Sequence, residues 1–326
     1  MRPPPPSRHV FGPVPSRRLG RSLGVDLVPF KTCSFDCIYC QLGRTTMKTR
    51  DRRDWVPVDE VLEEVKTRLP ARPDYVTLSG SGEPTLHARL GEILSGLKRL
   101  TDIPVAVLTN GSLLDNAAVR EALAEADLVI PSLDAGDAAL FKLVNRPCEG
   151  VAWEGLLDGL ESLRRGYRGP IWLEVFLLGG ITAIPSEVEK IARLARRIAP
   201  DRIQLNTVAR PPAERFAEPV PRGQLERLAA LFDGGAEVIA DPPPAHPGKG
   251  PGTQPDDVLA LLRRRPCTVR DIEAGLGLHR NEAVKHIARL ERDGLLTVAE
   301  AGGESYYQAL GGTSDAPAAA GTGGTS

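Results

Sequence analysis

The 326-residue sequence predicts an α/β fold followed by a small C-terminal domain. Short apolar runs alternate with amphipathic helical stretches from about residue 22 to residue 240, and repeated β-then-α units of this kind form parallel sheets covered by helices. A Pro- and Gly-rich stretch then separates this region from a second one. The predicted divisions are an extended N-terminal segment at residues 1–20, the α/β region at 21–241, a linker at 242–255, the small domain at 256–310 and a disordered tail at 311–326.

The elements of the α/β region are predicted from the periodicity of its apolar residues. The predicted strands are Leu23–Val28, Tyr75–Leu78, Val105–Leu108, Leu128–Ile130, Ile171–Leu177, Arg202–Asn206 and Ala236–Ile239. The predicted helices are Asp59–Leu69, Arg89–Leu100, Asn116–Glu125, Ala138–Asn145, Trp153–Arg165, Ser186–Ile198 and Gly223–Phe232. The helix from Ser186 is expected to begin with a capping box in which Glu189 reaches back to the helix start. This pattern fits an open doubly wound sheet as well as a barrel.

Composition excludes several classes of protein. The formal net charge is −1, so no overall electrostatic field indicates a nucleic-acid or membrane partner. No apolar run approaches the ~18 residues of a membrane span. The run from Pro3 to Pro6 interrupts any signal-peptide core, so a cytoplasmic location without membrane association is expected. Five cysteines in so long a chain do not form a disulfide framework, and Cys148 and Cys267 are expected to be small buried side chains.

The other three cysteines, Cys33, Cys37 and Cys40, are spaced C-x3-C-x2-C in the loop after the first predicted strand. Three thiolates in one short loop can bind three corners of a cubane iron–sulfur cluster and leave the fourth iron open. The alternatives are a structural zinc site or three unrelated thiols. A tetrahedral zinc site needs a fourth ligand, and the nearest candidates, His9 and His87, are distant in sequence. The spacing therefore favours a [4Fe–4S] cluster.

This cysteine spacing resembles the signature of the radical SAM superfamily. The resemblance implies a partial (β/α)6-type barrel with its active site at the C-terminal ends of the strands. It also implies that the amine and carboxylate of S-adenosylmethionine (SAM) chelate the open iron. The reduced cluster would then cleave SAM to methionine and a 5′-deoxyadenosyl radical, which abstracts hydrogen from a substrate. An external one-electron donor of flavodoxin or ferredoxin type is implied, and no side chain is expected to be the primary catalyst.

The resemblance extends to residues that would bind SAM. Gly82, Glu83 and Pro84 follow the second predicted strand and match a Gly-Glu-Pro segment that meets the amine of SAM in the family. The alternative for this segment is a simple turn. Asn110 follows the third predicted strand and offers a polar group at the same edge.

Three further positions resemble SAM contacts in the family. Ser132 and Asp134 follow the fourth predicted strand, where polar groups face SAM; the alternative is that one of them caps the next helix. Tyr39 precedes the third cysteine, where an aromatic ring lies against adenine; it could equally be a cover for the cluster loop.

The small domain is predicted to contain three helices and a two-stranded hairpin, and it resembles the winged-helix family. Thr268 is the expected N-cap of its second helix. The third helix, from Arg280 to Asp293, would be the recognition helix for a nucleic acid. The alternative is a docking module for a protein. The polar and basic residues of this helix are Asn281, Lys285, Arg289 and Arg292.

Basic residues also flank the predicted SAM site. Such a rim could receive the phosphates of an RNA or of a small phosphorylated substrate, although solvated surface charge is the ordinary alternative. Asp51 and Asp54, which lie among them, favour that alternative. The basic residues are Arg17, Arg18 and Arg21 before the cysteines and Arg44, Lys48, Arg50, Arg52 and Arg53 after them.

Within the superfamily, residues 10 to 240 resemble the branch grouped with wyosine-type tRNA synthases, most clearly around Phe11–Gly20 and Gln41–Thr46. The archaeal wyosine enzymes bind a second cluster through upstream cysteines, and this chain has no cysteine before Cys33. The sequence thus predicts a radical SAM enzyme with an unidentified substrate, for which RNA and protein are the candidates. The alternative is an iron–sulfur redox-sensing regulator that binds DNA through the winged helix.

Overall fold

The computed structural model describes residues 9–239 and 255–310 of the chain. The strands are β1 (Val10–Ser16), β2 (Gly20–Val25), β3 (Thr32–Cys33), β4 (Met47–Lys48), β5 (Tyr75–Leu78), β6 (Val105–Thr109), β7 (Leu128–Pro131), β8 (Trp172–Leu177), β9 (Arg202–Thr207), β10 (Glu237–Val238), β11 (Leu296–Ala301) and β12 (Glu304–Ala309). The helices are α1 (Val58–Arg68), α2 (Leu90–Leu100), α3 (Ala117–Leu123), α4 (Ala138–Val144), α5 (Trp153–Gly166), α6 (Pro185–Ile198), α7 (Arg222–Ala229), α8 (Pro255–Arg264), α9 (Val269–Leu276) and α10 (Arg280–Arg292). The predicted tail and nearly all of the predicted linker lie outside the described residues.

The central feature is a curved, mostly parallel sheet. One part has the strand order β1-β2-β5-β6-β7, in which only the edge strand β1 is antiparallel to its neighbour. A second part has the order β10-β9-β8 and is parallel throughout. Bridges between Val129 and Ile171 and between Ser132 and Glu174 join β7 to β8. The two parts therefore form one continuous surface, with a helix between most pairs of successive parallel strands.

The helices pack on the sheet through apolar faces. In α2, the residues Leu90, Ile93, Leu94 and Leu97 are buried and follow the i, i+3, i+4, i+7 spacing of one helix face. Complete burial of each such side chain contributes about 2 kcal/mol to stability. The same spacing gives α6 its buried face. The sheet and its helices thus share the main hydrophobic core.

One prediction about local structure is made more specific and another needs correction. Residues 10–16, expected to be extended, form β1 and pair with β2 from Val10 opposite Val25 to Ser16 opposite Gly20. The capping box predicted at Ser186 is wrong, because α6 begins at Pro185 and its N-cap, Ile184, makes no side-chain capping bond. Proline at the first helical position lacks an N–H and has a helical φ, so it fixes this helix start without a capping side chain.

The C-terminal unit consists of α8, α9, α10 and the antiparallel hairpin β11–β12. As predicted, Thr268 is the N-cap of α9, where it forms a capping box with Asp271. The buried residues of the unit include Val258, Leu262, Ile272, Ile287 and Leu290, and Val14 of β1 belongs to the same cluster.

This unit contacts the edge strand β1 and the loop that follows β9. Its α8 and α9 pack on β1, and the Tyr306 hydroxyl donates to the carbonyl oxygen of Ala209 after β9 at 3.0 Å. A buried ion pair joins Arg264 Nε to Asp26 Oδ2 at 2.7 Å. The unit is therefore held against the sheet by apolar and polar contacts. The predicted burial of Cys148 and Cys267 is confirmed. In the described ranges, no helix has both the length and the apolar character needed to cross a bilayer.

We expect Val14→Asp to lower the free energy of unfolding by about 3 kcal/mol, because it would place an unpaired carboxylate in a shared apolar core. Urea titration followed by circular dichroism measures this change. Val298→Asp is the control, because Val298 lies on the hairpin with 43% of its surface exposed; its cost should be about 1 kcal/mol or less. Equal losses in the two variants would contradict the shared core.

Candidate functional site

The loop that carries the three cysteines follows β2 and is held by main-chain contacts. Cys33 ends the short strand β3, which pairs with β4. The amide of Cys40 donates to the carbonyl oxygen of Cys37 at 3.1 Å. The amide of Ile38 donates to the carbonyl oxygen of Val144, at the end of α4, at 2.9 Å. These main-chain hydrogen bonds therefore fix the path of the loop.

The three thiols share one half-buried environment. Burial raises the pKa of Cys33 to about 12, and the negative charge of Glu83 adds to this effect. Burial also raises the pKa of Cys37 and of Cys40, and the charges of Cys33 and Cys40 add to the shift at Cys37. Asp134 raises the pKa of Cys37 further. Without bound metal, these groups remain protonated, and metal binding must displace the protons.

Amide N–H groups point at two of the sulfur atoms. Asn110 Nδ2 donates to Cys33 Sγ at 3.4 Å, and Asn145 Nδ2 donates to Cys37 Sγ at 3.5 Å. The backbone amide of Phe35 also donates to Cys33 Sγ, at 3.4 Å. Hydrogen bonds of this kind stabilise a thiolate and orient it as a metal ligand.

Within residues 9–239 and 255–310, no three His, Cys, Asp or Glu side chains are placed to bind one single metal ion. A cubane cluster needs a different arrangement of ligands, because each thiolate binds its own iron atom. The loop fits a cluster because of its three thiols and the N–H groups around them. Three thiols interact through their charges, and N–H groups are directed at the sulfur atoms of Cys33 and Cys37.

Glu83 is buried and saturated with hydrogen bonds. Its Oε1 accepts from the amide and hydroxyl of Thr85 at 3.1 and 2.6 Å and from the hydroxyl of Thr109 at 2.7 Å. Its Oε2 accepts from the amide of Asn110 at 2.7 Å. Burial raises the pKa of Glu83, while these four bonds oppose the shift. A carboxylate has about four acceptor sites, so this side chain is fully engaged in joining the ends of β5 and β6.

Gly82 lies directly against the cysteine loop. The amide of Glu83 donates to the carbonyl oxygen of Thr32 at 3.1 Å, and the amide of Lys31 donates to the carbonyl oxygen of Ser81 at 2.7 Å. A Cβ atom at Gly82 would lie 1.8 Å from the Thr32 carbonyl oxygen. Only glycine therefore permits this approach. Pro84 then begins a buried 3-10 turn.

Asn110 joins the end of β6 to the cysteine loop. Besides its bond to Cys33, its Nδ2 donates to Ser34 Oγ at 2.9 Å. Its Oδ1 accepts from the amide of Ser112 at 2.9 Å, which fixes the orientation of the side chain. The structure thus places this predicted residue beside the first cysteine.

Asp134 and Tyr39 form the opposite side of the site. The Tyr39 hydroxyl donates to Asp134 Oδ2 at 2.5 Å, and Asn145 Nδ2 donates to the same oxygen at 2.8 Å. The Tyr39 ring stacks on Phe176 with 3.9 Å between centroids. Burial raises the pKa of Asp134 from the ordinary 3.8 to about 6, against the hydrogen bonds from Tyr39, Asn145 and Phe176. The alternative that Asp134 or Ser132 caps the next helix is wrong.

The N-cap of α4 is instead Asp137, whose side chain accepts from the amide of Leu140. Ser132 lies between β6 and β8, because its amide donates to the Thr109 carbonyl oxygen at 3.0 Å and it bridges to Glu174. Ser132 is half-buried at this edge of the sheet.

Sequence reasoning missed Asn145 and Phe176. Asn145 links Asp134 to Cys37, and Phe176 supports the Tyr39 ring. Asn145 follows α4 at an ordinary helix end, and Phe176 occupies an ordinary strand position. Neither position carries a motif, so only long-range packing reveals their roles.

The basic run after the cysteines is largely engaged in internal contacts. Arg44 pairs with Glu214 at 2.5 Å, and Arg50 pairs with Asp115 at 3.0 Å. Arg52 donates to three main-chain carbonyl groups between residues 85 and 88. These residues therefore hold loops together.

Comparisons with known proteins show which proteins this chain is similar to. A family profile described as the Radical SAM superfamily matches residues 27–195. A UPF0026 protein of Methanocaldococcus jannaschii is 32% identical over 308 residues, which are 91% of this chain and 94% of that protein. A protein of Brachyspira hyodysenteriae named GTPase Obg is 40% identical over 271 residues, or 82% of this chain, which spans only 40% of that protein's length.

Among solved structures, SuiB of Streptococcus suis superposes with a TM-score of 0.52 at 14% identity. The match covers 74% of this chain and 56% of SuiB. At this identity the likeness concerns the fold alone.

We expect Gly82→Ala to lower the free energy of unfolding by about 3 kcal/mol, because the new methyl group would displace the Thr32 carbonyl oxygen. Chemical denaturation measures this change. Gly91→Ala is the matched control, since its Cβ would lie at an ordinary 3.5 Å from the Cβ of Ala122. That variant should be unchanged or more stable by about 1 kcal/mol, because Gly91 lies in a helix. Similar losses in both variants would contradict the close approach at Gly82.

A second expectation concerns pH. Because the folded pKa of Asp134 is about 6 against an ordinary 3.8, its ionisation opposes folding. The stability that protonated Asp134 provides is complete below pH 3.8 and is lost as the pH rises through about 6. Relative to Asp134→Asn, the metal-free wild type should lose about 2 kcal/mol between pH 4 and pH 7.

Urea unfolding of both proteins across this pH range measures the difference. Asp137→Asn is the control, because hydrogen bonding lowers the pKa of this half-buried N-cap and its contribution is lost on acidification instead. A difference between wild type and Asp134→Asn that does not change with pH would contradict the raised pKa.

Proposed function

Because this chain belongs to the radical SAM superfamily, we propose that Cys33, Cys37 and Cys40 are the protein ligands of its [4Fe–4S] cluster. The superfamily uses this cluster together with SAM, and the chain is an enzyme of that class. The observation that carries the ligand assignment is the pair of amide donors, Asn110 and Asn145, directed at the sulfur atoms of Cys33 and Cys37. They would orient the thiolates and disperse their negative charge.

A cluster held by these cysteines would supply the electron for reductive cleavage of SAM, and the carbon-centred radical chemistry of the superfamily would follow from that cleavage. The chain's own residues build the surroundings. Glu83 clamps the ends of β5 and β6 through its saturated carboxylate, and the main chain of the 82–84 turn would meet the SAM amine. Tyr39 and Phe176 form an apolar wall that would exclude water from the radical.

We assign SAM binding to residues around this wall and turn. Ser132 supports the assignment because it is half-buried at the strand ends, between Thr109 and Glu174. Asp134 holds Tyr39 in place through their hydrogen bond. The complete proposed set is Tyr39, Gly82, Glu83, Pro84, Asn110, Ser132 and Asp134.

The architecture that we propose is a partial (β/α)6-type barrel at residues 21–241, extended at its edge by β1, with a winged-helix domain at 256–310. The hydrogen bonds from Arg17 to Asn206 and to the Ile239 carbonyl oxygen support the barrel, because they link the two ends of the sheet. Three helices and a hairpin support the winged helix. The relation to wyosine-type tRNA synthases is part of this proposal and rests on the sequence resemblance.

The substrate of the radical remains to be identified, and RNA and protein are the proposed classes. The winged helix would contact either one through α10, where the polar and basic side chains are exposed: Asn281, Lys285, Arg289 and Arg292. Radical SAM enzymes generally need an external electron donor, and we propose a flavodoxin or ferredoxin and a cytoplasmic location. The comparisons give no support to a redox-sensing regulator.

The test is anaerobic reconstitution with iron and sulfide. We expect about four irons per chain in the wild type and their loss in Cys40→Ala, because the cluster needs all three thiolates. Cys148→Ala is the matched control, since Cys148 is buried beside the loop and is not a proposed ligand. Iron content and visible absorption measure cluster binding.

Dithionite and SAM are then added, and 5′-deoxyadenosine is measured by liquid chromatography. Wild type and Cys148→Ala should form it, whereas Cys40→Ala should not. A cluster retained in Cys40→Ala would contradict the ligand assignment. A reconstituted wild type that forms no 5′-deoxyadenosine would contradict the enzyme and favour the sensor.

A further inference from the structure

Four arginine side chains meet inside the molecule, between the curved sheet and the C-terminal unit. Arg17 and Arg18 come from the turn between β1 and β2, Arg210 follows β9, and Arg265 follows α8. Burial lowers the pKa of Arg17 to about 10, and the charges of Arg210, Arg18 and Arg265 contribute to this shift. Burial and the charge of Arg210 likewise lower the pKa of Arg265. The four guanidinium groups are therefore close neighbours.

Carboxylates balance only part of this charge. Arg18 pairs with Glu174 at 2.5 Å, and Arg210 pairs with Asp271 at 3.2 Å. Arg17 donates to neutral oxygens instead, at 2.9 Å to Asn206 Oδ1 and 3.1 Å to the carbonyl of Ile239.

Arg265 forms no ion pair with a carboxylate in residues 9–239 and 255–310, although Asp271 is near enough to influence its charge. Four positive charges thus face two negative ones among the described residues. About two positive charges remain in a largely desolvated place, where isolated charges are costly.

Two of the guanidinium groups also lack acceptors. The Nε atoms of Arg210 and Arg265 are buried and have no hydrogen-bond partner in the described part of the protein. A buried donor of this kind costs about 1–3 kcal/mol, so folded proteins rarely leave one unpaired. This observation is independent of the charge count. Both observations favour an anion with several acceptor oxygens as the ligand of these arginines.

The arginines adjoin the cysteine loop. Arg210 Nη1 donates to Gln41 Oε1 at 3.4 Å, and Gln41 directly follows Cys40. Arg17 reaches Asn206 near the C-terminal end of β9. A molecule with one end among these arginines would therefore extend toward the proposed radical site.

We propose that Arg17, Arg210 and Arg265 bind a phosphate group of the substrate, an inference that rests on the proposed function of the neighbouring site. The guanidinium fork matches the oxygens of a phosphate, and a phosphate monoester carries about −1.5 to −2 charges at pH 7. It would balance the excess positive charge and accept from the unpaired Nε atoms. Arg265 gives the C-terminal unit a direct part in binding the substrate.

The test measures binding of inorganic phosphate to the reconstituted full-length protein by calorimetry and by thermal unfolding, at constant ionic strength. Phosphate should raise the unfolding temperature, and acetate should not. Arg265→Gln should weaken phosphate binding by about 10- to 100-fold, since a charge-assisted bond is lost. Arg17→Gln should do the same from a different element, which keeps the test valid if Arg265→Gln unfolds the C-terminal unit.

Arg263→Gln is the matched control, because Arg263 is an exposed residue near the end of α8. It should bind phosphate like the wild type. Equal effects of acetate and phosphate, or unchanged phosphate binding in both Arg17→Gln and Arg265→Gln, would overturn the proposal.

The production of 5′-deoxyadenosine is measured separately on the wild type. A protein that forms it but binds no phosphate contradicts this inference alone. A protein that binds phosphate but forms none contradicts the proposed function alone.

Discussion

The close main-chain contact between the cysteine loop and the end of β5 is the constraint on which the site depends. Gly82 lets the Thr32 carbonyl oxygen approach, and the amide of Glu83 binds that oxygen at 3.1 Å. Because Glu83 also clamps the end of β6, one turn fixes the position of Cys33 relative to two strands. A loop with little secondary structure of its own thereby gains the rigidity that a preorganised ligand set needs.

Buried carboxylates organise both sides of the site. Glu83 accepts from the amide of Asn110, whose side chain donates to Cys33. Asp134 accepts from the side chain of Asn145, which also donates to Cys37. Each carboxylate is costly to bury, and each is compensated by at least three hydrogen bonds. These negative groups also raise the pKa of the neighbouring thiols. The protonation of the cysteine loop therefore depends on the carboxylates at the strand ends.

Much of the α/β region could be predicted from the sequence, because strands such as Val105–Thr109 are apolar runs flanked by clear turn residues. The cysteines and the Gly-Glu-Pro turn were also visible, since local spacing defines them. Long-range contacts were not. The sequence alone contains no signal that β1 would pair with β2, that Asn145 would reach Cys37, or that Arg265 would lie beside Arg17. Each of these depends on how the sheet curves and on where the C-terminal unit docks.

The raised pKa values of the three thiols have a consequence for the newly made protein. A thiol reacts with oxidants and electrophiles mainly as its thiolate, and burial keeps that form scarce in Cys33, Cys37 and Cys40. As long as they carry no metal, the three thiols therefore react slowly with oxidants and electrophiles. Sulfenic acid formation and mixed disulfides with small thiols are correspondingly slow at all three positions.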